Sequence, residues 1–279
     1  MKKYIFLTIC FTQISCSSLF YHPSSQIFSD PKEYKFNKDE FVLHTSDREQ
    51  IQGWVISTCQ KNCKGTILQF HGNAENMTSH YRSLIWFVEN GYRLITFDYR
   101  GYGQSSGKPS QKGTYLDARA ILEYALEFHN KNRINIKSKF IVFAQSLGGI
   151  IAARALEEFH ASNEVDLLIL DSTFMSYKDV AQQKLASNFI TWLFSPLGQI
   201  LVSDEYASIK SIKKNQIKTL VIHDALDPVI DFENGLDIYK NLNSNKEFWV
   251  FDDALHAGAF SVLHTERRKK LLNYIDNLN

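Results

Sequence analysis

The chain predicts one α/β domain, with a mostly parallel central sheet and helices on both faces. Three observations carry this expectation. Short, nearly continuous apolar runs alternate with longer segments of helical spacing through the middle of the chain. The runs are rich in β-branched and aromatic residues, as strands buried on both faces are. The first two strand-like runs have no helix between them, so that edge of the sheet is expected to be antiparallel.

Phe41–Thr45 and Gly53–Ser57 are the two opening strands, and Thr66–Phe70 follows. A polar stretch from about 75 to 90 has helical character and stops at Asn90 and Gly91, a good helix end. Arg93–Phe97 is another buried strand. Leu116, Ala120, Ile121, Tyr124 and Phe128 have the spacing of a helix over 113–129. Phe140–Ala144 is a strand, Leu147–Phe159 a helix and Leu167–Leu170 a strand. Residues 173–214 are helical and irregular and are expected to form a small cap. Leu220–Ile222 and Glu247–Phe251 are the last strands, each followed by a helical stretch. No internal repeat or low-complexity block interrupts this order.

The N-terminus differs in kind. Lys2 and Lys3 precede an apolar stretch from Tyr4 to Ile14, which is too short for a bilayer span of about 20 residues. Small residues follow, Ser15 to Ser18. A charged start, a short apolar core and a small-residue patch read as a secretory signal. Cys16 resembles the lipidation site of bacterial lipoproteins, although Gln13 stands where Leu is usual. The expected layout is a leader over 1–16, a polar tether over 17–38 and a folded domain over 39–279. The expected location is the bacterial envelope, periplasmic or membrane-anchored through a lipidated Cys16. Cys59 and Cys63 could bridge in such an oxidising compartment. A zinc site would need two more ligands, and the sequence offers none nearby.

Charge is balanced, with 31 Lys and Arg against 30 Asp and Glu. No nucleic-acid partner is expected, because phosphate neutralisation needs a basic stripe. The run from Arg267 to Lys270 lies in a helical pattern and reads as a solvated face.

In open sheets of this kind, chemistry gathers just beyond the carboxyl ends of the strands. After the strand ending at Ala144 comes Gln145, then Ser146, Leu147, Gly148 and Gly149. A strand-to-helix turn this tight needs small residues around its apex, which leaves the Ser146 hydroxyl exposed as a nucleophile. Ser is a weak nucleophile and needs a base within hydrogen-bond reach. His256 follows the last strand in a loop and can supply it, with His264 in reserve. Asp227, five residues beyond Ile222, is the expected orienting acid. Asp224 sits too close to its strand, and Asp171 is the alternative acid position. An oxyanion would need donors, and the N–H groups of Leu147 and Asn73 are the candidates. His71 and His223 are expected to be structural hydrogen-bonders.

Four segments together resemble the α/β-hydrolase superfamily, in the branch of the fungal bud-emergence hydrolase and mammalian membrane-associated hydrolases. They are His71–Asn76, Phe97–Gly103, Ser146–Gly149, and Asp227 with His256. Ala144 replaces the usual first Gly of the elbow, and His223-Asp224 replaces a more usual His-Gly. Arg100 is expected in a structural ion pair. The resemblance implies the α/β-hydrolase fold and hydrolysis of an ester or thioester through an acyl-Ser146 intermediate, without a cofactor. It implies a small-molecule or lipid-like acyl substrate. A peptidase using the same triad and a non-catalytic binding protein are the other readings. Phe189–Phe194 could line an acyl pocket, and packing against the sheet is the simpler expectation.

Overall fold

A computed structural model describes residues 19–278, apart from 60–62, 134–136, 188–190 and 254. The leader over 1–16, including Cys16, lies outside the described residues. The sheet has eight strands. β2 (Asn37–His44) pairs antiparallel with β3 (Gln50–Ser57), and β3 pairs antiparallel with β6 (Tyr92–Phe97). Beyond β6 all neighbours are parallel. They are β4 (Gly65–Phe70), β7 (Lys139–Gln145), β8 (Leu167–Asp171), β9 (Thr219–Asp224) and β10 (Lys246–Phe251), in that order. This is the α/β-hydrolase fold. β4 lies between β6 and β7, so the chain's winding direction reverses there. Ligand crevices open at such reversal points, above the strand ends.

Alternation of side chains along each strand feeds two separate cores. Leu68, Ile95, Phe140 and Val142 face one cluster, and Ile67, Leu94, Ile141 and Phe143 the other. The first is covered by α3 (Gln111–Asn132), α4 (Leu147–Glu157), α7 (Ile209–Lys214) and α8 (Phe232–Asn241). The second is covered by α1 (Met77–His80), α2 (Ile85–Glu89) and α9 (Thr265–Asp276). Each fully buried Leu, Ile or Phe contributes about 1.5–3 kcal/mol, so both faces are needed to hold the central strands dry. α3 starts where Ser110 accepts the Gly113 N–H at 3.0 Å.

Three expectations change. The stretch over 75–90 is not one helix. Asn76 caps α1 through the Thr78 N–H at 2.9 Å, a 3-10 turn covers Tyr81–Ser83, and Leu84 leaves helical geometry before α2. The cap is also smaller than 173–214. α5 (Tyr177–Ala186), a 3-10 turn over Trp192–Phe194 and α6 (Pro196–Leu201) form it. α7 instead joins the body, because Ser211 and Lys214 both bond Glu157 of α4 at 2.6 Å.

The largest correction concerns the expected tether over 17–38. From Leu19 on, it belongs to the domain. Phe20 and Tyr21 are buried, each 4% exposed. The Phe20 ring meets the Tyr177 ring edge-on at 5.1 Å, and the Tyr21 hydroxyl bonds the Thr114 hydroxyl at 3.3 Å. A two-residue strand β1 (His22–Pro23) pairs parallel with β5 (Ala74–Glu75). Further on, Ser29 bonds the Tyr81 hydroxyl and the Thr78 carbonyl. The apolar pair Phe20-Tyr21 makes this happen, since leaving two large rings in water would forfeit their burial energy. Cys59 and Cys63 are joined by a disulfide that ties the start of β4 to the end of β3.

If this segment is integral, Phe20→Ala will lower unfolding stability by roughly 3 kcal/mol or more, measured by urea titration. A change below about 0.5 kcal/mol, typical of a surface site, would return the segment to the status of a tether.

Candidate active site

β7 runs into α4 with one residue between them. That residue is Ser146, and its backbone sits at φ 52°, ψ −121°. A non-glycine residue at positive φ is strained by about 1–3 kcal/mol. The surroundings leave no alternative. The Ser146 N–H donates to the Asp171 carbonyl at 2.9 Å, and its own carbonyl accepts from the Thr173 hydroxyl at 2.5 Å. Gly148 is obligatory for this turn. A Cβ there would lie 2.3 Å from the Phe70 carbonyl oxygen, so α4 could not approach the end of β4. Ala144 is fully buried between its strand neighbours Phe70 and Leu170, where a methyl group fits.

The hydroxyl so raised meets the histidine from the far end of the chain. Ser146 Oγ lies 2.9 Å from His256 Nε2, and His256 Nδ1 lies 2.8 Å from Asp227 Oδ2. Asp227 is itself held, because its Oδ1 accepts the N–H groups of Val229 at 2.8 Å and Ile230 at 3.0 Å. Burial pushes the Asp227 carboxyl up, but His256 and these N–H donors outweigh it and hold the group below its ordinary value. It is therefore an anion at neutral pH, suited to fix the Nδ1–H tautomer of His256. His223 lies behind it, bonded to the Ile230 carbonyl at 2.9 Å. Gly235 leaves room for that ring, since a Cβ there would sit 2.4 Å from His223 Nδ1. His264, the reserve base, precedes α9, while it is His256 that bonds Ser146 Oγ.

Two residues that sequence reasoning passed over hold the His256 loop. Ala257 has φ 52°, a second strained position beside the base. Its N–H donates to Ser172 Oγ at 3.0 Å, and Ser172 has φ 52° as well. Gln145 Nε2 reaches Asp171 Oδ2 at 3.1 Å and comes within 3.5 Å of the Ala257 carbonyl. Asp171, the alternative acid, thus bonds Gln145 and Ser172 rather than the imidazole. Burial, against the Gln145 hydrogen bond, pushes it up to about 6. Ser172 follows directly on β8, so the rule of searching beyond each strand end could have found it.

The loop after β4 forms the other wall. A Cβ built on Gly72 would sit 3.7 Å from Ser146 Cβ, so this backbone passes beside the nucleophile. The Asn73 carbonyl is fixed, accepting from the His22 N–H at 2.9 Å and the Tyr102 hydroxyl at 2.8 Å. Leu147 opens α4, where an N–H has no carbonyl one turn earlier to receive it. His71 is fully buried and bonded through Nδ1 to the Gly72 carbonyl at 2.8 Å. Burial and the neighbouring His80 hold it well below the ordinary histidine range, so it stays neutral. Its Nε2 stands 3.7 Å from Asp98 Oδ1, which accepts the Met77 N–H at 2.6 Å. Arg100 forms the expected ion pairs, with Asp47 at 2.8 Å and Asp117 at 2.9 Å, away from the triad. Among the described residues no cluster of His, Cys, Asp and Glu could hold a metal ion.

The fold is shared with known proteins. The α/β-hydrolase fold family matches residues 65–192. YfhR of Salmonella typhi is 28% identical over 271 residues, covering 92% of this chain and 86% of that protein. The bem46 protein of Schizosaccharomyces pombe is 28% identical over 191 residues, covering 66% and 62%. Among solved structures, the esterase Pf2001 of Pyrococcus furiosus superposes with a TM-score of 0.72 at 20% identity, covering 93% of this chain and 98% of that one.

Asp98 makes the wall of the site pH-sensitive. Burial, against the Met77 N–H, pushes its carboxyl from 3.8 up to about 7. Between those values the folded chain keeps a proton that the unfolded chain has released, so stability falls as pH rises through this window. Asp98→Asn keeps an acceptor for Met77 and removes the titration. The unfolding free energy of the variant relative to wild type, measured by urea titration, should therefore climb from pH 5 to about pH 7 by up to about 1.4 kcal/mol per pH unit and level off above it. A constant offset would refute the buried proton.

Proposed function

The chain belongs to the α/β-hydrolase superfamily, and from that premise we propose that it is a serine hydrolase acting on carboxylic esters or thioesters. The observation that carries this reading is the unbroken relay from Ser146 Oγ through both His256 nitrogens to Asp227, at 2.9 and 2.8 Å. In this reading Ser146 Oγ attacks the acyl carbonyl while His256 Nε2 takes its proton. The Asp227 carboxylate stabilises the resulting imidazolium. The tetrahedral oxyanion is met by the N–H groups of Leu147 and Asn73, whose peptides are held before substrate arrives. His256 then returns the proton to the departing alkoxide or thiolate, leaving an acyl-Ser146. A water deprotonated by His256 attacks this ester, and a second collapse frees the acid and Ser146.

Export fits the same protein. Its support is the charged and apolar start from Lys2 to Ile14, the small-residue patch around Cys16, and the Cys59–Cys63 bridge, a linkage that persists in oxidising compartments. We read Cys16 as the point of lipid attachment.

A fluorophosphonate probe should label the purified protein covalently, and Ser146→Ala should abolish the label. Labelling that persists in this variant would remove Ser146 as nucleophile. Turnover of p-nitrophenyl butyrate should fall by roughly 10⁴-fold in Asp227→Asn and at least as far in His256→Ala. Cleavage of a peptide library, with short esters left intact, would favour a peptidase instead.

A further inference from the structure

We infer that the cap is a bilayer-docking surface and that the N-terminus holds it against the membrane. The inference rests on the reading of Cys16 as a lipid anchor, and it adds the orientation that such an anchor would impose.

The first observation is the surface itself. From Trp192 to Leu201 the chain has no charged residue. Within this run Trp192, Leu193, Phe194, Ile200 and Leu201 are 51%, 66%, 55%, 74% and 63% exposed. Leu197 between them is exposed as well, and while single exposed apolar residues are ordinary, six large ones within ten positions are not. Packing fixes which side they occupy. α6 lies on α5, where Gly198 comes so close that a Cβ would meet the Gln182 backbone nitrogen at 2.6 Å. Gln199 bonds Asp179 and Gln182 of α5 at 2.8 Å. The remaining side of this small assembly carries the apolar residues outward, so Trp192–Phe194 do not pack against the sheet as expected of Phe189–Phe194, of which Phe189 and Ile190 lie outside the described residues.

The second observation is where the described chain begins. Phe20 is locked against Tyr177, the first residue of α5. Four Cα steps separate Cys16 from Phe20, a reach of at most about 14 Å even when extended. The Gly198 contact lies roughly one helical turn along α5 from Tyr177, about 6–8 Å. An acyl chain on Cys16 thus brings the membrane surface within reach of the cap. A tether running to residue 38 would have left the domain free to tumble; the short one does not.

The third observation is the rim of the site. Leu226 beside Asp227 and Leu255 beside His256 are 70% and 75% exposed. Apolar side chains therefore flank the triad's acid and base loops at the sheet edge from which the cap rises. A bilayer satisfies all three features at once. It covers the cap, and it presents acyl esters of membrane lipids to the crevice above β4 and β7.

Trp192 reports directly on this contact, because Trp54, Trp86 and Trp249 are each 8% exposed or less. Full-length lipidated protein should be reconstituted into phosphatidylcholine and phosphatidylglycerol vesicles with and without brominated acyl chains. The brominated chains should quench a component of the emission that is missing in Trp192→Phe, and acrylamide should reach that component less than in detergent-free solution without vesicles. Trp192 that stays open to acrylamide on vesicles would overturn the proposal. So would Trp192 shielded from both quenchers, since a second copy of the chain or the N-terminal segment would then cover the cap. Protein that fails to sediment with vesicles would overturn it too. In the paired variant Leu193→Glu, Ile200→Glu, cleavage of a vesicle-borne phospholipid ester should drop about tenfold, with p-nitrophenyl butyrate turnover unchanged. The quenching readout needs no catalysis and can be run on Ser146→Ala, so a failed hydrolase reading and a failed docking surface give different results.

Discussion

The site depends on one constraint, the single-residue passage from β7 into α4. A strand and a helix joined by one residue force that residue out of both regular conformations, and Ser146 takes up the strain at φ 52°. The strain is held by the flanking chemistry. Gly148 lets α4 close on the carbonyl of Phe70, while Asp171 and Thr173 grip the Ser146 peptide from the neighbouring strand end. The hydroxyl is thereby fixed at the mouth of the crevice, and the backbone N–H of Leu147 is left facing the start of a helix.

The same logic repeats at the base. Ala257 and Ser172 share the positive φ of Ser146, and a hydrogen bond joins them. Three strained residues thus surround one imidazole. Backbone held in such conformations persists only where packing over-determines it. Here the buried amide and carboxyl groups of Gln145 and Asp171 do that beneath the loop. The arrangement is costly, since burial raises the Asp171 carboxyl to about 6 and that of Asp98 to about 7. A scaffold serving stability alone would have apolar side chains at these positions. Their presence fits a site in which the position of polar groups matters more than the folding energy they contribute.

The N-terminal segment links this machinery to the outside of the molecule. β1 adds only two residues to β5, but its His22 N–H fixes the Asn73 carbonyl, one peptide beyond the Asn73 N–H, whose own peptide is held through the Gly72 carbonyl by His71. Two residues earlier, Phe20 is seated on the cap helix. One short stretch of chain thus touches the oxyanion loop, α3 and α5.

Some of this was legible in the sequence and some was not. The strands, the longer helices, the turn at Ser146 and the placing of Asp227 and His256 beyond their strands could be read from local pattern. Each follows a recognisable apolar strand, and the fold demands chemistry at strand ends. The ion pairing of Arg100 and the structural places of His71 and His223 were readable for the same reason. Other features depend on contacts between residues far apart in the chain. Ser172 supports Ala257 across 85 positions, and Tyr21 meets Thr114 across 93. A largely polar stretch looks like a tether until α3 and α5 are in place to receive Phe20 and Tyr21. The exposure of Trp192 and its neighbours was equally hidden, because an apolar run is written the same way whether it meets a sheet or solvent. Local spacing determined which side chains stand beyond the strand ends, where Ser146, His256 and Asp227 meet; only the assembled packing decided what holds them still and which apolar residues are left exposed.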